Sequence, residues 1–163
     1  MEIRLATLED CESILKGQKE AYASLTSIKP PALEETVETI KQRINSIEWL
    51  LYIGIDNNSI VSGISYCISY LTNSAYACRF FSNEPNAGKK IFDETINDNK
   101  LKELGIEKVF LRTPTGDTRV RYFLMRDCRM ATQSEFEECE KIFGNKIPHV
   151  NHPMDYLVYD LKK

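Results

Sequence analysis

The two histidines of the chain stand three residues apart, a spacing that could direct two imidazoles to one metal ion. They are His149 and His152, in the stretch Pro148-His149-Val150-Asn151-His152-Pro153. A structural or catalytic zinc ion needs three or four protein ligands. The prolines on both sides indicate a stiff loop instead. We therefore predict no metal site here.

The cysteines offer thiol chemistry, but their number is odd and no two of them form a C-x-x-C pair. Cys128 could act as a nucleophile if Arg126 or Arg129 lowered its pKa. Its position on an apolar stripe with Val120 and Leu124 favours a core residue. The pattern indicates reduced thiols in a cytoplasmic protein rather than disulfides or zinc. The five are Cys11, Cys67, Cys78, Cys128 and Cys139.

The charge and hydropathy of the chain exclude several classes of protein. The 163 residues carry a net charge of -3, which does not favour binding to nucleic acid. No apolar run approaches the roughly 20 residues that span a bilayer, so we expect no membrane segment. The acidic stretch from Met1 to Asp10 does not read as a secretory signal.

Helical periodicity marks four segments. Apolar residues recur at steps of three and four from Leu8 to Leu25, and again from Leu33 to Ile47. A third helix is predicted from Gly88 to Leu104, with a break near Asn99 where the apolar phase slips. The fourth is an amphipathic helix from Thr118 to Arg129.

Strands are predicted where the period changes to two and β-branched or aromatic residues dominate. The turn Asp56-Asn57-Asn58-Ser59 joins two of them into an antiparallel hairpin. No linker or repeat interrupts the chain, so we predict one α/β (α+β) domain over residues 1–163 with a mixed, mostly antiparallel sheet. The predicted strands are Ile3–Ala6, Trp49–Ile55, Ile60–Tyr70, Ala75–Phe81, Val109–Thr113 and Tyr156–Leu161.

The residues that lie on apolar faces of these elements form the predicted core. Burying such side chains is the main favourable contribution to folding, and each should be largely removed from solvent. They are Ile14, Val37, Ile40, Ile53, Ile64, Ile96, Val109, Leu111 and Leu124.

Three short stretches, in this order, resemble a GNAT-superfamily N-acetyltransferase. Ile3 to Cys11 resembles the "I-R-x-A-T-x-x-D" opening of that family, Leu104 to Leu111 its "G-x-x-k-i-x-L" entry into the fifth strand, and Asp155 to Leu161 its closing strand. The resemblance spans nearly the whole chain and implies the GNAT fold, with acetyl-CoA as acyl donor and a small-molecule or peptide amine as acceptor.

The resemblance places the CoA pyrophosphate at the loop that follows the fourth strand, where helix amides bind anions. The family signature "R/Q-x-x-G-x-G/A" aligns with Asn83-Glu84-Pro85-Asn86-Ala87-Gly88 in this chain. Gly88 matches the last position of the signature, whereas Asn83 and Asn86 replace its basic or amide residue and its first glycine. Glu84 adds a negative charge and Pro85 removes a donor. The resemblance implies that pantetheine would pair with the strand backbone from Phe80 to Ser82. The implied cofactor-binding residues are Phe81, Ser82, Asn86, Ala87, Gly88, Lys89 and Lys90.

The family also carries a tyrosine in its last helix that protonates the leaving thiolate. Met125 stands at that position, and Tyr122, one turn earlier, is the substitute acid that the resemblance implies. The acceptor pocket would be lined by residues 26–31 together with Tyr66 and Tyr70. Five arginines lie beside the implied CoA arm and could contact a phosphate or an acidic partner: Arg112, Arg119, Arg121, Arg126 and Arg129.

Two functions follow from these observations. One is acetyl transfer from acetyl-CoA to a primary amine, with Tyr122 as the catalytic acid. The other is a catalytically inactive GNAT-fold protein that serves as a binding or structural module of a larger assembly, such as a phage particle, because the loop and the tyrosine both depart from the family. A homodimer or an assembly subunit fits either alternative. Phe80, Phe81 and Met125 would fill the pantetheine slot in the inactive form.

Overall fold

The structure is a computed structural model that describes residues 1–23, 35–146 and 152–161. Its strands form one seven-stranded sheet, ordered β1-β2-β3-β4-β5-β7-β6. The strands are β1 (Glu2–Leu5), β2 (Trp49–Asp56), β3 (Ser59–Ser69), β4 (Ser74–Ser82), β5 (Lys108–Pro114), β6 (Arg129–Met130) and β7 (Met154–Asp160). The helices are α1 (Cys11–Ala23), α2 (Val37–Ile44), α3 (Ala87–Ile96), α4 (Asn99–Glu103), α5 (Arg119–Leu124) and α6 (Gln133–Phe143).

The predicted mixed, mostly antiparallel sheet is confirmed. β1 pairs antiparallel with β2, β5 pairs antiparallel with β7, and β4 pairs parallel with β5. Asn57 and Asn58 have φ of 46° and 60°, the left-handed backbone that a tight hairpin turn between β2 and β3 requires. The predicted break near Asn99 is also present, because α3 ends at Ile96 and α4 begins at Asn99.

The chain divides into two compact units. The first contains Met1–Tyr66 and Arg79–Ile96, and the second contains Cys67–Cys78 and Asn97–Lys163. In the first unit α1 and α2 supply Ile14 and Ile40, which are fully buried, and Phe81 of β4 joins the same cluster. This cluster explains the apolar periodicity of both helices.

The second unit has an aromatic core. The Phe143 ring of α6 lies 5.8 Å from the ring of Tyr76 in β4 and 6.2 Å from that of Phe110 in β5, measured between centroids. Leu157 and Val158 of β7 are also fully buried. The start of β4 and the end of α6 are therefore held by the same cluster of rings.

Helix α6 and the short strand β6 were not predicted from the sequence. Thr132 caps α6 by accepting a hydrogen bond from the Glu135 amide, and the Glu135 carboxylate accepts one from the Thr132 amide. This reciprocal pair is the capping box that begins many helices. The sequence Thr132-Gln133-Ser134-Glu135 therefore carried a usable signal.

Three residues of the predicted apolar stripes are exposed in the described part of the chain, because 47% of Leu8 is accessible as well as much of Leu124 and Ile47. The predicted burial of Leu124 is wrong, because 44% of this residue is accessible. Helix α5 ends there: the amides of Arg126 and Cys128 both donate to the Phe123 carbonyl, and Asp127 has φ of 61°. Phe123 is the buried residue of this helix instead. Ile47 lies beyond the end of α2 and is 80% exposed.

The remaining core predictions agree with the structure. Val37 is half-buried against the first cluster, and the other seven predicted residues are buried. Leu25 and Leu33, which were placed on the two N-terminal stripes, lie outside the described residues. No helix in the described part of the chain has the length and apolar character that crossing a membrane would need.

Truncating a buried isoleucine should be costly. Ile40→Ala leaves a cavity in the first cluster, so we expect the free energy of unfolding to fall by roughly 2–5 kcal/mol. Ile47→Ala is the matched control, since the same truncation at an exposed site should change it by less than about 0.5 kcal/mol. Urea titration followed by circular dichroism measures both. Equal losses would contradict the described core.

The ion pair at the start of the chain should give a defined pH dependence. The Arg4 guanidinium donates two hydrogen bonds to Asp10 at 2.8 and 2.9 Å and lowers the pKa of that carboxyl to about 2. Unfolded aspartate titrates near pH 4. The pair therefore stabilises the fold fully above about pH 4, and this contribution is lost as pH falls towards 2.

Asp10→Asn tests this assignment. We expect the variant to be less stable than the parent at neutral pH, and this difference to shrink steadily between about pH 4 and pH 2. Unfolding titrations at a series of pH values measure it. A difference that stayed constant over this range would contradict the role of the Asp10 charge.

Candidate functional site

The loop between β4 and α3 is anchored at its first residue. The Asn83 amide donates to the Val61 carbonyl at 2.8 Å, and the Asn83 side-chain amide donates to the Gly17 carbonyl at 3.1 Å. These two bonds tie the loop to β3 and to α1. The residues that follow, up to Asn86, are exposed. The loop thus presents its tip to solvent from a fixed base.

The Ser82 hydroxyl organises the loop internally. It donates to the Glu84 carbonyl at 2.9 Å and accepts a hydrogen bond from the Gly88 amide at 3.0 Å. The Ala87 amide donates to the same Glu84 carbonyl at 3.3 Å. Two amides that the family resemblance assigns to phosphate therefore already have acceptors within the loop.

Asn86 adopts a left-handed backbone conformation at the end of the loop. Its φ is 66°, and asparagine tolerates this left-handed region better than most residues. Its carbonyl accepts the Lys90 amide at 3.0 Å, so it ends the loop and begins α3. Among the described residues the Asn86 amide has no acceptor, which leaves it available to an anion.

Gly88 is needed for close packing of α3 on its own strand. A β-carbon at this position would lie 3.0 Å from Cζ of Phe80 and 3.2 Å from Cβ of Ser82. These distances are shorter than ordinary van der Waals contacts. The glycine therefore lets the first turn of α3 approach the end of β4.

The two lysines of the loop place positive charge on the first turn of α3. Lys89 and Lys90 are both exposed. The Lys90 ammonium donates to the Met1 carbonyl at 3.0 Å and lies 3.9 Å from the Glu94 carboxylate. Both charges are thus close to the Asn86 amide in sequence and accessible to a ligand in solution.

The side chain of Phe81 belongs to the core rather than to an open surface. Its ring lies so close to Gly17 and Gly63 that a β-carbon at either position would be within 2.9 Å of it. Only the main chain of Phe81 is left for a ligand. The neighbouring Phe80 carbonyl accepts a hydrogen bond from the Tyr22 hydroxyl.

Tyr122, the predicted acid, is half-buried on α5. The Arg126 guanidinium lies 4.2 Å from the centroid of its ring, a cation–π contact, and the Phe123 ring meets it edge-on at 5.5 Å. These contacts hold the ring in place. Met125, at the family's tyrosine position, is 70% exposed, so its side chain does not serve as a core residue.

Arg119 and Arg129, from the predicted set of five arginines, form ion pairs. Arg129 binds Glu135 at 2.7 Å and Asp160 at 2.9 Å, which joins β6 to α6 and β7 and lowers the pKa of Glu135 well below its ordinary value. Arg119 binds Asp117 at 2.6 Å. Arg129 thus has a structural role within the second unit.

The surroundings of the Cys128 thiol do not activate it. Burial raises the pKa of Cys128 to about 12, and the charge of Asp127 contributes, so the thiol stays protonated at neutral pH. A nucleophilic cysteine needs a lowered pKa, because the thiolate is the reactive form. The five cysteines, all within the described residues, form no disulfide. His149 lies outside the described residues, and His152 is exposed with Nδ1 2.8 Å from the Pro153 carbonyl.

The aromatic residues predicted for an acceptor pocket differ in exposure. Tyr66 is fully buried, and its hydroxyl is 2.8 Å from that of Thr95, so it belongs to the core of the first unit. Tyr70 is 44% exposed. Residues 26–31, the third part of that prediction, lie outside the described residues.

A buried ionic cluster was missed by sequence reasoning. Glu35 contacts Arg43 of α2 and lies 3.1 Å from Arg79 of β4, all within the first unit. Arg43 follows Glu35 by 8 residues and Arg79 follows Arg43 by 36, and this spacing matches no motif. The sequence therefore gives no signal for the cluster. Arg79 also has φ of 51°, which is unusual for a residue within a strand.

Comparison with known proteins reveals structural likeness without sequence likeness. No protein-family model matches the chain, and no curated protein matches its sequence. By structure, the chain is similar to PaiA N-acetyltransferase of Thermoplasma acidophilum in complex with coenzyme A, with a TM-score of 0.71, 14% identity and 98% of each chain covered.

Two further structures show the same likeness. A GNAT-family acetyltransferase of Staphylococcus aureus Mu50 has a TM-score of 0.70 and 18% identity, with 99% of each chain covered. The ribosomal-protein-alanine N-acetyltransferase of Brucella melitensis has a TM-score of 0.73 and 12% identity, with 99% of this chain and 100% of that one covered. The chain therefore has the fold of the GNAT N-acetyltransferases.

Proposed function

We propose that this protein transfers an acetyl group from acetyl-CoA to a primary amine of a small molecule or peptide. The observation that carries the proposal is the fold: it matches acetyltransferases over essentially their whole length, one of them in complex with coenzyme A. Fold alone does not determine activity. Support from this chain's own residues must come from the loop before α3.

The loop can accept a phosphate group at a limited number of points. The Asn86 amide is available in a left-handed turn at a helix N-terminus, and Lys89 and Lys90 add positive charge beside it. The Gly88 amide would have to exchange its Ser82 acceptor for the ligand. The residues therefore fit a pyrophosphate, with fewer preformed donors than a glycine-rich loop provides.

Each residue of the proposed site has a distinct task. The main chain of Phe80 to Ser82 would pair with the amides of the pantetheine arm, and the Phe80 carbonyl can do so beside its bond from Tyr22 because it has two lone pairs. Asn86, Lys89 and Lys90 would hold the phosphates. When bound, acetyl-CoA supplies an acetyl group activated as a thioester.

Proton transfer is the task proposed for Tyr122. Its hydroxyl would hold the proton that the departing thiolate needs, while the Arg126 contact fixes the ring. No covalent nucleophile is required, since an amine can attack a thioester directly. Catalysis would then rest on positioning and on hydrogen bonds to the developing charge.

A second candidate is a binding or structural module without catalysis. The observation that favours it is the Ser82 hydroxyl, which already satisfies the Gly88 amide that phosphate would use. Met125 in place of the family's tyrosine points the same way. In this case the loop would be a capped helix start, and the exposed lysines would be solvated surface charges. Binding of acetyl-CoA separates the two candidates.

We also propose that the protein works in the reducing cytoplasm. Its five cysteines, all within the described residues, form no disulfide, and burial raises the pKa of Cys11, Cys128 and Cys139, which keeps these thiols protonated and inert. A chain that used disulfides for stability would show paired cysteines.

Calorimetric titration with acetyl-CoA tests the proposal. We expect saturable binding, and the double variant Lys89→Glu/Lys90→Glu should weaken it by about tenfold or more at low salt. The loss should shrink in 0.5 M salt because exposed charges are screened. Lys100→Glu/Lys102→Glu on α4 is the matched control, since it changes the net charge equally on another exposed helix.

Three outcomes would count against the catalytic proposal. They are no heat at millimolar acetyl-CoA with a folded protein, equal weakening by the two double variants, and a loss that does not depend on salt. The first of these would favour the non-catalytic module. A substitution at Gly88 is a poorer test, because any side chain there also collides with Phe80 and Ser82.

Tyr122→Phe tests the proposed acid. We expect the turnover number to fall by about 100-fold with little change in acetyl-CoA affinity, because only the proton donor is removed. The readout is thiol release from acetyl-CoA with a panel of primary amines. An unchanged turnover number, or a loss confined to acetyl-CoA binding, would contradict the assignment.

A further inference from the structure

Helix α1 is hydrogen-bonded to the end of strand β4 at two points. The Tyr22 hydroxyl donates to the Phe80 carbonyl, and the Asn83 side-chain amide donates to the Gly17 carbonyl at 3.1 Å. All four residues belong to the first unit. The segment from Phe80 to Asn83, which includes the main chain proposed to pair with pantetheine, is therefore attached to α1 at both of its ends.

Packing against α1 holds the side chain of Phe81 within this segment. A β-carbon at Gly17 would lie 2.9 Å from Cε2 of the Phe81 ring, and Phe81 is buried in the cluster that contains Ile14. Tyr22 packs against the same cluster. These contacts fix the position of the Phe81 ring, but they leave the direction of the neighbouring peptide carbonyl to be decided by its hydrogen bond.

The peptide unit between Phe80 and Phe81 takes its orientation from the Tyr22 hydroxyl. A trans peptide is planar, so turning its carbonyl towards Tyr22 turns the Phe81 N–H in the opposite direction. Arg79, the residue before this unit, has φ of 51°, and a left-handed residue within a strand is typical of a β-bulge. A bulge disrupts the ladder locally, so the hydrogen bond from α1 becomes the constraint that orients this peptide unit.

We propose that Tyr22 is a positioning residue for the acyl donor: its hydroxyl fixes the main chain of Phe80 and Phe81 in the orientation that pairs with the pantetheine arm. This inference rests on the proposed acetyl transfer. Tyr22 acts without touching the donor, because a carbonyl oxygen has a second lone pair that a pantetheine amide can use. Phenylalanine at position 22 would fill the same space and lose only the hydrogen bond.

Calorimetric titration of Tyr22→Phe tests the effect on the donor. We expect this variant to bind acetyl-CoA about threefold to tenfold more weakly than the parent, as the loss of one hydrogen bond implies. ADP, which carries a pyrophosphate without a pantetheine arm, should bind both proteins equally. Tyr159→Phe is the matched control, because it removes a hydroxyl that donates to Asn97 at 2.7 Å in the second unit. The control should bind acetyl-CoA as the parent does.

NMR spectra of the protein without ligand test the orientation itself. The backbone ¹⁵N resonance of Phe81 is sensitive to what the Phe80 carbonyl accepts, because both atoms belong to one peptide unit. We expect Tyr22→Phe to move this resonance and to leave the Gly88 resonance of α3 in place. Tyr159→Phe should move neither. A Phe81 resonance that Tyr22→Phe does not move would overturn the inference.

Steady-state kinetics separate positioning of the donor from proton transfer. In Tyr22→Phe the KM for acetyl-CoA should rise about threefold to tenfold with kcat within about twofold, because pantetheine pairing is present both before and during the reaction. A fall in kcat alone, an equal effect of Tyr159→Phe, or an equal loss of ADP affinity would overturn the inference. If the parent does not bind acetyl-CoA, the proposed function fails and the inference fails with it. If the parent binds and Tyr22→Phe binds equally well, only the inference fails.

Discussion

The contact on which this structure most depends is the one that holds strand β4 at Arg79. The backbone of Arg79 is left-handed, and its guanidinium group forms an ion pair with Glu35. Before this point β4 delivers Tyr76 to the aromatic core of the second unit. After it β4 delivers Phe81 to the aliphatic core of the first. One strained residue thus separates two stretches of the same strand that serve different cores.

The loop after β4 inherits its geometry from that strand. Ser82 is the last residue of β4, and its hydroxyl bridges Glu84 and Gly88. Gly88 in turn lets α3 begin against the Phe80 ring. The arrangement is compact because hydrogen bonds within the loop replace those that a ligand would make. Any ligand therefore competes with Ser82, and its binding should draw on Asn86 and the two lysines.

Periodicity was sufficient to predict the main helices and every described strand except the short β6. A strand that buries one or both faces must alternate or remain apolar, which is why β2 to β5 and β7 were placed to within two residues. Leu8, Ile47 and Leu124 lie on predicted stripes and are nevertheless exposed, because an apolar stripe does not show where a helix begins or ends. Helix α6 was overlooked although its capping box at Thr132 and Glu135 was readable.

The loop before α3 could be predicted from the sequence, whereas the ionic cluster at Arg79 could not. A loop before α3 could be read from Gly88 and its lysines because local order along the chain carries that signal. The left-handed backbone of Asn86 is common for asparagine. That of Arg79 is not, and its ionic partners lie far away in sequence. Long-range pairing of this kind leaves no period or motif, so only the three-dimensional structure could reveal it.

The most direct test of the central claim is where acetyl-CoA binds. Backbone amide NMR spectra of the folded protein, recorded during titration with acetyl-CoA, report this residue by residue. The account predicts the largest shifts at Phe80 to Ser82 and Asn86 to Lys90, with the Gly88 amide moving as it exchanges the Ser82 hydroxyl for a phosphate oxygen. Shifts that avoid these residues, or none at millimolar ligand, would contradict it.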